Sequence, residues 1–166
     1  MAYILKGKKF DEFNSGDEYT TSNRTITESD VSLFAGLSGD FNPLHVDEEY
    51  GKKTPFSGRI AHGMLIVSIA TGQANQLGLF EGTSLALLSM GIKFTGAVKF
   101  GDTVHTVIKV LEKKETSKPD RGVVTFDVRT YNQKGECVIE SHWSVLLRKD
   151  VKPESQPETP LEGKTQ

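Results

Sequence analysis

The sequence predicts an α+β domain in which one buried helix packs against an antiparallel sheet. Residues 27–37 place apolar side chains at helical spacing, and residues 60–73 form the most hydrophobic stretch of the chain. After Gly78 the pattern changes to the two-residue period of strands, in four segments that reach residue 148. Helices followed by a run of strands favour an α+β fold.

Length and charge limit the classes to which the protein can belong. Its 166 residues are enough for one domain with a core and short for two. The net charge of −2 gives no reason to expect nucleic acid or an anionic membrane as a partner. No stretch approaches the ~18 apolar residues that span a bilayer. At the N-terminus the charged residues follow a very short apolar run, which is the wrong order and length for a secretory signal. We therefore expect a cytoplasmic protein.

The composition also predicts the domain boundary and argues against a metal site. Residues 1–149 should form the domain, and residues 150–166 should be a disordered tail, because they are almost entirely polar. Cys137 is the single cysteine, and the four histidines are scattered without zinc-like spacing. We expect neither a metal nor an organic cofactor.

The elements before the hydrophobic stretch are short. Phe10 and Phe13 are candidate anchors to the core in an otherwise polar segment, and residues 19–26, rich in Thr, predict a first strand. Thr27 followed by Asp30 resembles a capping box and starts a helix over residues 27–37. Residues 46–60 read as a loop with one helical turn near residues 47–51.

The hydrophobic stretch predicts the central helix. It is apolar on nearly every face between residues 64 and 70, which predicts burial on all sides. Gly63 lies near its start, where backbone N–H groups are unpaired and the helix dipole is positive. Such a terminus can stabilise a developing oxyanion.

Four strands are predicted after the central helix, at residues 85–94, 103–113, 122–131 and 137–148. The third alternates most clearly, with Val124, Phe126 and Val128 on one face. Gly101-Asp102 and residues 132–135 supply turns between strands, and the short connections favour antiparallel pairing.

Residues 38–45, Ser-Gly-Asp-Phe-Asn-Pro-Leu-His, carry the candidate chemistry. Asp40 and His45 would not share a face of a straight helix. A turn containing Pro43 can instead bring them together as an acid/base pair, with the Asn42 amide bracing the turn. From the residues alone, an ordinary turn with a helix cap is the other explanation of this stretch.

Residues 40–45 resemble the Asp-x-Asn-Pro-x-His motif of the MaoC-like, (R)-specific enoyl-CoA hydratases. Residues 56–64, Phe-Ser-Gly-Arg-Ile-Ala-His-Gly-Met, are similar to the family's segment entering the central helix. Residues 92–104 resemble a third segment, although Ala97-Val98 stands where the family usually has Pro-Val. The resemblance implies a single hot-dog fold, a long central helix wrapped by a curved antiparallel sheet, in a homodimer with active sites near the subunit interface.

The resemblance also implies an activity: reversible syn hydration of a trans-2-enoyl-CoA to an (R)-3-hydroxyacyl-CoA, in fatty acid metabolism or a related pathway. Asp40 would orient and activate water, His45 would pass a proton to the substrate, and the Gly63 N–H would bind the thioester oxygen. Structural support is expected from Asn42, from Pro43 and from His62, which would cap or pack at the helix start. Two alternatives stay open: a hot-dog acyl-CoA thioesterase and a non-catalytic module that binds acyl thioesters.

Overall fold

The computed structural model describes residue 4 and residues 6–150. Its helices are a short 3₁₀ helix (Phe10–Glu12), α1 (Glu28–Ser38), α2 (Pro43–Val46), α3 (Glu48–Lys52) and α4 (Gly63–Gln76). Its strands are β1 (Glu18–Thr20), β2 (Arg24–Thr25), β3 (Ser84–Phe94), β4 (Thr103–Glu115), β5 (Arg121–Tyr131) and β6 (Cys137–Arg148). The predicted tail lies, apart from Asp150, outside the described residues, and the domain boundary stays a prediction.

The strands form one antiparallel sheet in the order β1-β4-β5-β6-β3, with β2 also paired to β4. The four strands predicted after the central helix are confirmed to within two residues at each end. On β5, Val124, Phe126 and Val128 are buried as the alternation predicts. The strand β3 pairs only with β6 in the described chain, so it is one edge of the sheet.

The single strand predicted over residues 19–26 is wrong, because the chain forms two short strands there. Thr20 pairs with Val107 and Arg24 pairs with Val104. Thr20 and Arg24 are four residues apart in the sequence, whereas their partners Val107 and Val104 are only three apart. One residue is extra, and the ladder is interrupted between β1 and β2.

The central helix α4 packs one face onto the sheet. Ile66 belongs to the part of the core under α1, whereas Ala70 and Ala74 pack among the large side chains of β5 and β6, including Phe126 and Trp143. Burying a side chain the size of Ile stabilises the fold by roughly 1.5–3 kcal/mol. A helix that contributes several such side chains fixes its own position firmly, and with it the residues at its start.

The prediction that α4 is buried on all sides is wrong. Met64 is 50% exposed, and Ser68 and Gly72 are exposed on the same stripe of the helix. The Ser68 hydroxyl donates to the Met64 carbonyl oxygen at 2.8 Å, so its polar atom is satisfied within the helix. One face of α4 is therefore open in the single chain.

The segment before α4 is anchored as the sequence predicts. Phe10 and Phe13 are buried in the core, and the Thr27 hydroxyl accepts from the Asp30 N–H while the Asp30 carboxylate accepts from the Thr27 N–H. This reciprocal capping box starts α1 at Glu28.

Among the helices in the described part of the chain, none is both long enough and apolar enough to cross a membrane.

Candidate active site

A series of hydrogen bonds between side chains and nearby backbone shapes residues 38–44; we call it the turn relay. The Ser38 hydroxyl accepts from the Asp40 N–H at 3.2 Å, and the Asp40 carboxylate accepts from the Asn42 N–H at 3.2 Å. The Asn42 side-chain oxygen then accepts from the Leu44 N–H at 3.1 Å. Each bond joins a side chain to the second residue along, so the path of the backbone is fixed locally.

Asn42 and Pro43 start the short helix α2. Asn42 is its N-cap, and Pro43 occupies the first turn, where a missing N–H leaves no bond unmade. Immediately upstream, Gly39 ends α1 with φ of 76°, a left-handed conformation that favours glycine. The chain thus leaves one helix and enters another within a few residues, with Asp40 between them.

His45 lies on α2 and is half-buried. Its Nδ1 lies 2.8 Å from the carbonyl oxygen of Ile60. A carbonyl oxygen only accepts, so Nδ1 carries the proton and Nε2 of the neutral ring holds the lone pair. This contact ties α2 to the segment before α4 and leaves Nε2 as the nitrogen that can take up a proton.

His62 is the N-cap residue of α4, but its side chain forms no capping hydrogen bond within the described chain. Of the two roles predicted for it, packing is the one observed. The ring is buried and stacks on the His45 ring, with centroids 3.8 Å apart and planes at 29°. Its Nε2 lies 2.9 Å from the backbone oxygen of Asp40.

Three ionisable side chains converge beside one cavity. A carboxylate oxygen of Asp40 and a ring nitrogen each of His45 and His62 all lie within 4.8 Å of one another. The cavity has a volume of about 700 Å³. Its lining includes these three residues, Gly63, Met64 and Ile66 from α4, and the aromatic rings of Phe34, Phe56 and Phe94. An apolar chamber with a few convergent polar groups is the usual form of a small-molecule site.

Gly63 lines the same cavity as Asp40 and His45. It is the first residue of α4, so its N–H has no acceptor within the helix, and no other acceptor for it is found among residues 6–150. A Cβ atom at this position would lie 2.5 Å from Cε1 of Phe94. Glycine is therefore what lets the Phe94 ring pack against the helix start.

Carboxylate and imidazole groups can also ligate metals, but the ring geometry here does not suit one. Because the His45 and His62 rings are stacked at 29°, their planes meet only far from the ring nitrogens. A metal lies close to the plane of each imidazole that binds it, about 2.1 Å from nitrogen. The two rings would have to rotate before both could ligate one ion, and the absence of a metal stays a prediction.

Comparison with known proteins gives the family. The MaoC like domain matches residues 12–132, which is most of the chain. The chain belongs to the MaoC-like family. A relative named "(R)-specific enoyl-CoA hydratase", from Rhodospirillum rubrum, is 35% identical over 138 residues, covering 83% of this chain and 90% of the relative.

Solved structures agree with this MaoC-like assignment. An R-hydratase from Pseudomonas aeruginosa, in the unliganded form, has a TM-score of 0.73 and 30% identity, covering 91% of this chain and 94% of that chain. A Mycobacterium tuberculosis protein with a double hot-dog fold has a TM-score of 0.77 at 21% identity, covering 93% of this chain and 48% of that chain. The predicted hot-dog fold is confirmed, and the MaoC-like chain is a hydro-lyase like its named relatives.

An ion-pair cluster holds the site-bearing segment of this MaoC-like domain in place. Arg59 donates two hydrogen bonds to the Glu28 carboxylate, at 2.7 and 2.9 Å, and one to Glu48 at 3.1 Å. Its guanidinium also lies over the Phe100 ring, 4.5 Å from the centroid. Hydrogen bonding from Arg59 holds the pKa of the Glu28 carboxyl below its usual value. The cluster joins α1, α3 and the segment before α4.

Sequence reasoning missed two contributors to the site. Arg59 was not expected to hold α1 and α3, because its partners are 31 and 11 residues away and nothing local marks them. Phe94 was expected only as the end of a strand, yet its ring packs on Gly63. The one signal in the sequence is the glycine itself, which at a helix start can mark a close approach.

Proposed function

We propose that this MaoC-like protein is an (R)-specific enoyl-CoA hydratase. It would add water reversibly, and to one face, across the double bond of a trans-2-enoyl-CoA. The observation that carries the proposal is the approach of the Asp40 carboxylate and a His45 ring nitrogen, within 4.8 Å at the wall of an apolar cavity. A single water can bridge two groups at that separation.

The reaction needs a nucleophilic oxygen at C3 and a proton at C2 on the same face. In the proposed mechanism a water held between Asp40 and His45 loses a proton to the pair as its oxygen bonds to C3. The pair then delivers a proton to C2, so that one water is added in total. Asp40 is the main base and orients the water; His45 passes the proton through Nε2, because Nδ1 is engaged with Ile60.

The third requirement is stabilisation of charge on the thioester oxygen. We assign this to the Gly63 N–H, which has no acceptor among the described residues and belongs to a residue lining the cavity. The dipole of α4 adds to the attraction, since Gly63 is at its positive end. Donors of this kind are typically worth about 10²–10³ in rate.

The substrate and assembly follow from the same proposal. The acyl chain would lie against the apolar lining of the cavity, with the thioester near Gly63. We propose a homodimer joined at β3, because this edge strand exposes the large side chains of Leu85, Leu87, Leu88 and Phe94. An exposed apolar edge strand is a ready site for pairing with another chain. A cytoplasmic location and a role in fatty acid metabolism stay predictions from the sequence.

Two matched variants test the proposed pair. Asp40→Asn keeps the oxygen that accepts from the Asn42 N–H, and His45→Asn keeps a donor in place of Nδ1 for the Ile60 carbonyl. Each removes acid/base capacity while preserving the local bonds. We expect each to lower the rate of crotonyl-CoA hydration by about 10²–10⁴. The thermal midpoint should be unchanged in Asp40→Asn and lower in His45→Asn, which also loses the ring stacked on His62.

The same assay separates the alternatives. Loss of the enoyl absorbance with formation of the (R)-alcohol supports the hydratase, whereas release of free CoA thiol, detected with a disulfide reagent, supports a thioesterase. Saturable binding without turnover across enoyl-CoAs of graded length supports a binding module. Turnover like that of the wild type in either variant contradicts the assigned roles.

A further inference from the structure

The His62 ring contacts both members of the proposed catalytic pair, and it does so from a different element. Its Nε2 lies 2.9 Å from the backbone oxygen of Asp40, which can only accept, so Nε2 carries the proton and donates it. Its face stacks on the His45 ring at a centroid distance of 3.8 Å. Asp40 and His45 belong to the turn relay and α2, whereas His62 belongs to the start of α4.

The contacts leave His62 no evident role as an acid or base. Nε2 is engaged with the Asp40 backbone, and Nδ1 is buried from solvent with no hydrogen-bond partner among the described residues. An apolar ring would fill the same space without an unpaired nitrogen, so packing alone does not account for a histidine here. What the histidine adds is the donated hydrogen bond.

We infer that His62 is a positioning residue for the proposed pair, an inference that rests on the hydratase function. It holds the Asp40 backbone by its Nε2–H and the His45 ring by stacking. Because Gly63 is the next residue, one peptide unit of the core helix sets where the pair lies relative to the proposed oxyanion donor. A hydration site needs these groups at fixed separations, and a misplacement of about 1 Å can cost about 10² in rate.

Two substitutions separate the hydrogen bond from the ring. His62→Gln can put an amide N–H where Nε2 now donates, without the aromatic face. His62→Phe keeps a ring over His45 and has no donor. Because the donated hydrogen bond is what the histidine adds, His62→Phe should lower kcat by about 10² with KM within threefold, and His62→Gln should recover most of that loss.

Two further readouts distinguish positioning from other roles. The pH–rate profile of His62→Phe should keep the wild-type shape at reduced height, because the Asp40 and His45 side chains are both still present. His105→Phe is the matched control, since His105 also stacks on an aromatic ring, that of Tyr131, with centroids 5.6 Å apart, and does not line the cavity. It should keep the wild-type kcat.

The backbone amide of Phe41 gives a test that needs no turnover. It belongs to the same peptide unit as the Asp40 carbonyl, so its ¹⁵N shift should change in His62→Phe and stay close to wild type in His62→Gln. This change in ¹⁵N shift would establish the contact between His62 and Asp40 even if the wild-type protein hydrated no enoyl thioester. A lack of hydration would contradict the proposed function and not the contact. Wild-type kcat in His62→Phe, a missing limb in its pH profile, or equal losses in both variants and in His105→Phe would overturn the positioning role.

Discussion

The edge of the Phe94 ring packs where a side chain on Gly63 would stand, with Cε1 2.5 Å from the ideal Cβ position. The atoms in the way lie at the end of the Phe94 side chain, which is 53% exposed in the single chain and can rotate about its side-chain bonds. Gly63→Ala should therefore displace the ring and cost only about 1 kcal/mol of stability, the low end for overpacking. The displaced ring alters the cavity wall beside the proposed oxyanion donor, and kcat/KM for crotonyl-CoA should fall by about 10-fold or more.

The double variant Gly63→Ala/Phe94→Ala provides the control for this explanation. Without the ring, the added methyl group meets no clash, so its cost in chemical denaturation should largely disappear when measured against Phe94→Ala alone. An equal cost in both backgrounds would show that the methyl group acts through some other contact.

Stability at low pH should depend on the contact between Arg59 and Glu28. The folded pKa of Glu28 lies below its usual value, so this stabilisation is fully present above about pH 4.3, the unfolded value. It is lost as the pH falls through the folded pKa. Arg59→Met should lower the thermal midpoint at pH 7, and the difference from wild type should shrink below about pH 4.3.

The expected size of that effect is modest, because the Glu28 side chain is 60% exposed. Exposed ion pairs are worth on the order of 0.5 kcal/mol each. Arg59→Lys is the matched variant, because it retains the charge but not the paired donors. Its thermal midpoint at pH 7 should lie between those of Arg59→Met and the wild type. A difference that stays constant from pH 7 to pH 3 would mean that Arg59 stabilises the fold through Phe100 alone.

The cavity should discriminate against acyl chains that end in a carboxylate. Among the described residues that line it, none is Lys or Arg, and Asp40 already contributes a negative charge. Burying a second carboxylate there without a partner costs several kcal/mol. We expect kcat/KM at least about 10²-fold lower for an enoyl-CoA ending in a carboxylate than for one of equal length ending in a methyl group. Comparable values would require a cation from outside the described lining.

The exposed edge strand makes a prediction about assembly. Leu87→Lys places a charge on β3, where Leu87 is 51% exposed, and should shift the proposed dimer toward monomer in analytical ultracentrifugation. Leu111→Lys is the control, because Leu111 is also exposed, at 42%, but lies on β4, within the sheet. A monomeric wild-type protein, or equal dissociation in both variants, would contradict dimerisation at β3.

The sequence predicted the sheet well because each signal was local. Alternation on β5 and turn residues between the later strands fix the strand ends without knowledge of the tertiary fold. The capping box at Thr27 is equally local, and it starts α1 where predicted. The two short strands before it were not resolved, because the extra residue opposite Val104–Val107 depends on the partner strand.

The candidate site was predictable only in part. The segment from Asp40 to His45 is continuous, so the pair and its turn could be proposed from one motif. His62 lies 22 residues from its acceptor in Asp40, and nothing in the spacing indicated that contact. The exposed stripe of α4 that contains Met64 and Ser68 was not predicted for a different reason. Neither residue is charged, so the sequence predicted a helix buried on every side.

The turn relay also limits how the chain length can change. Every bond in it joins one residue to its second neighbour, from Ser38 through Asp40 and Asn42 to Leu44. Inserting or deleting a single residue would break the bond that spans that point and change the path of the backbone from Asp40 to His45. Loop grafts and circular permutants of this protein must therefore leave the spacing of this segment untouched, whatever side chains they carry.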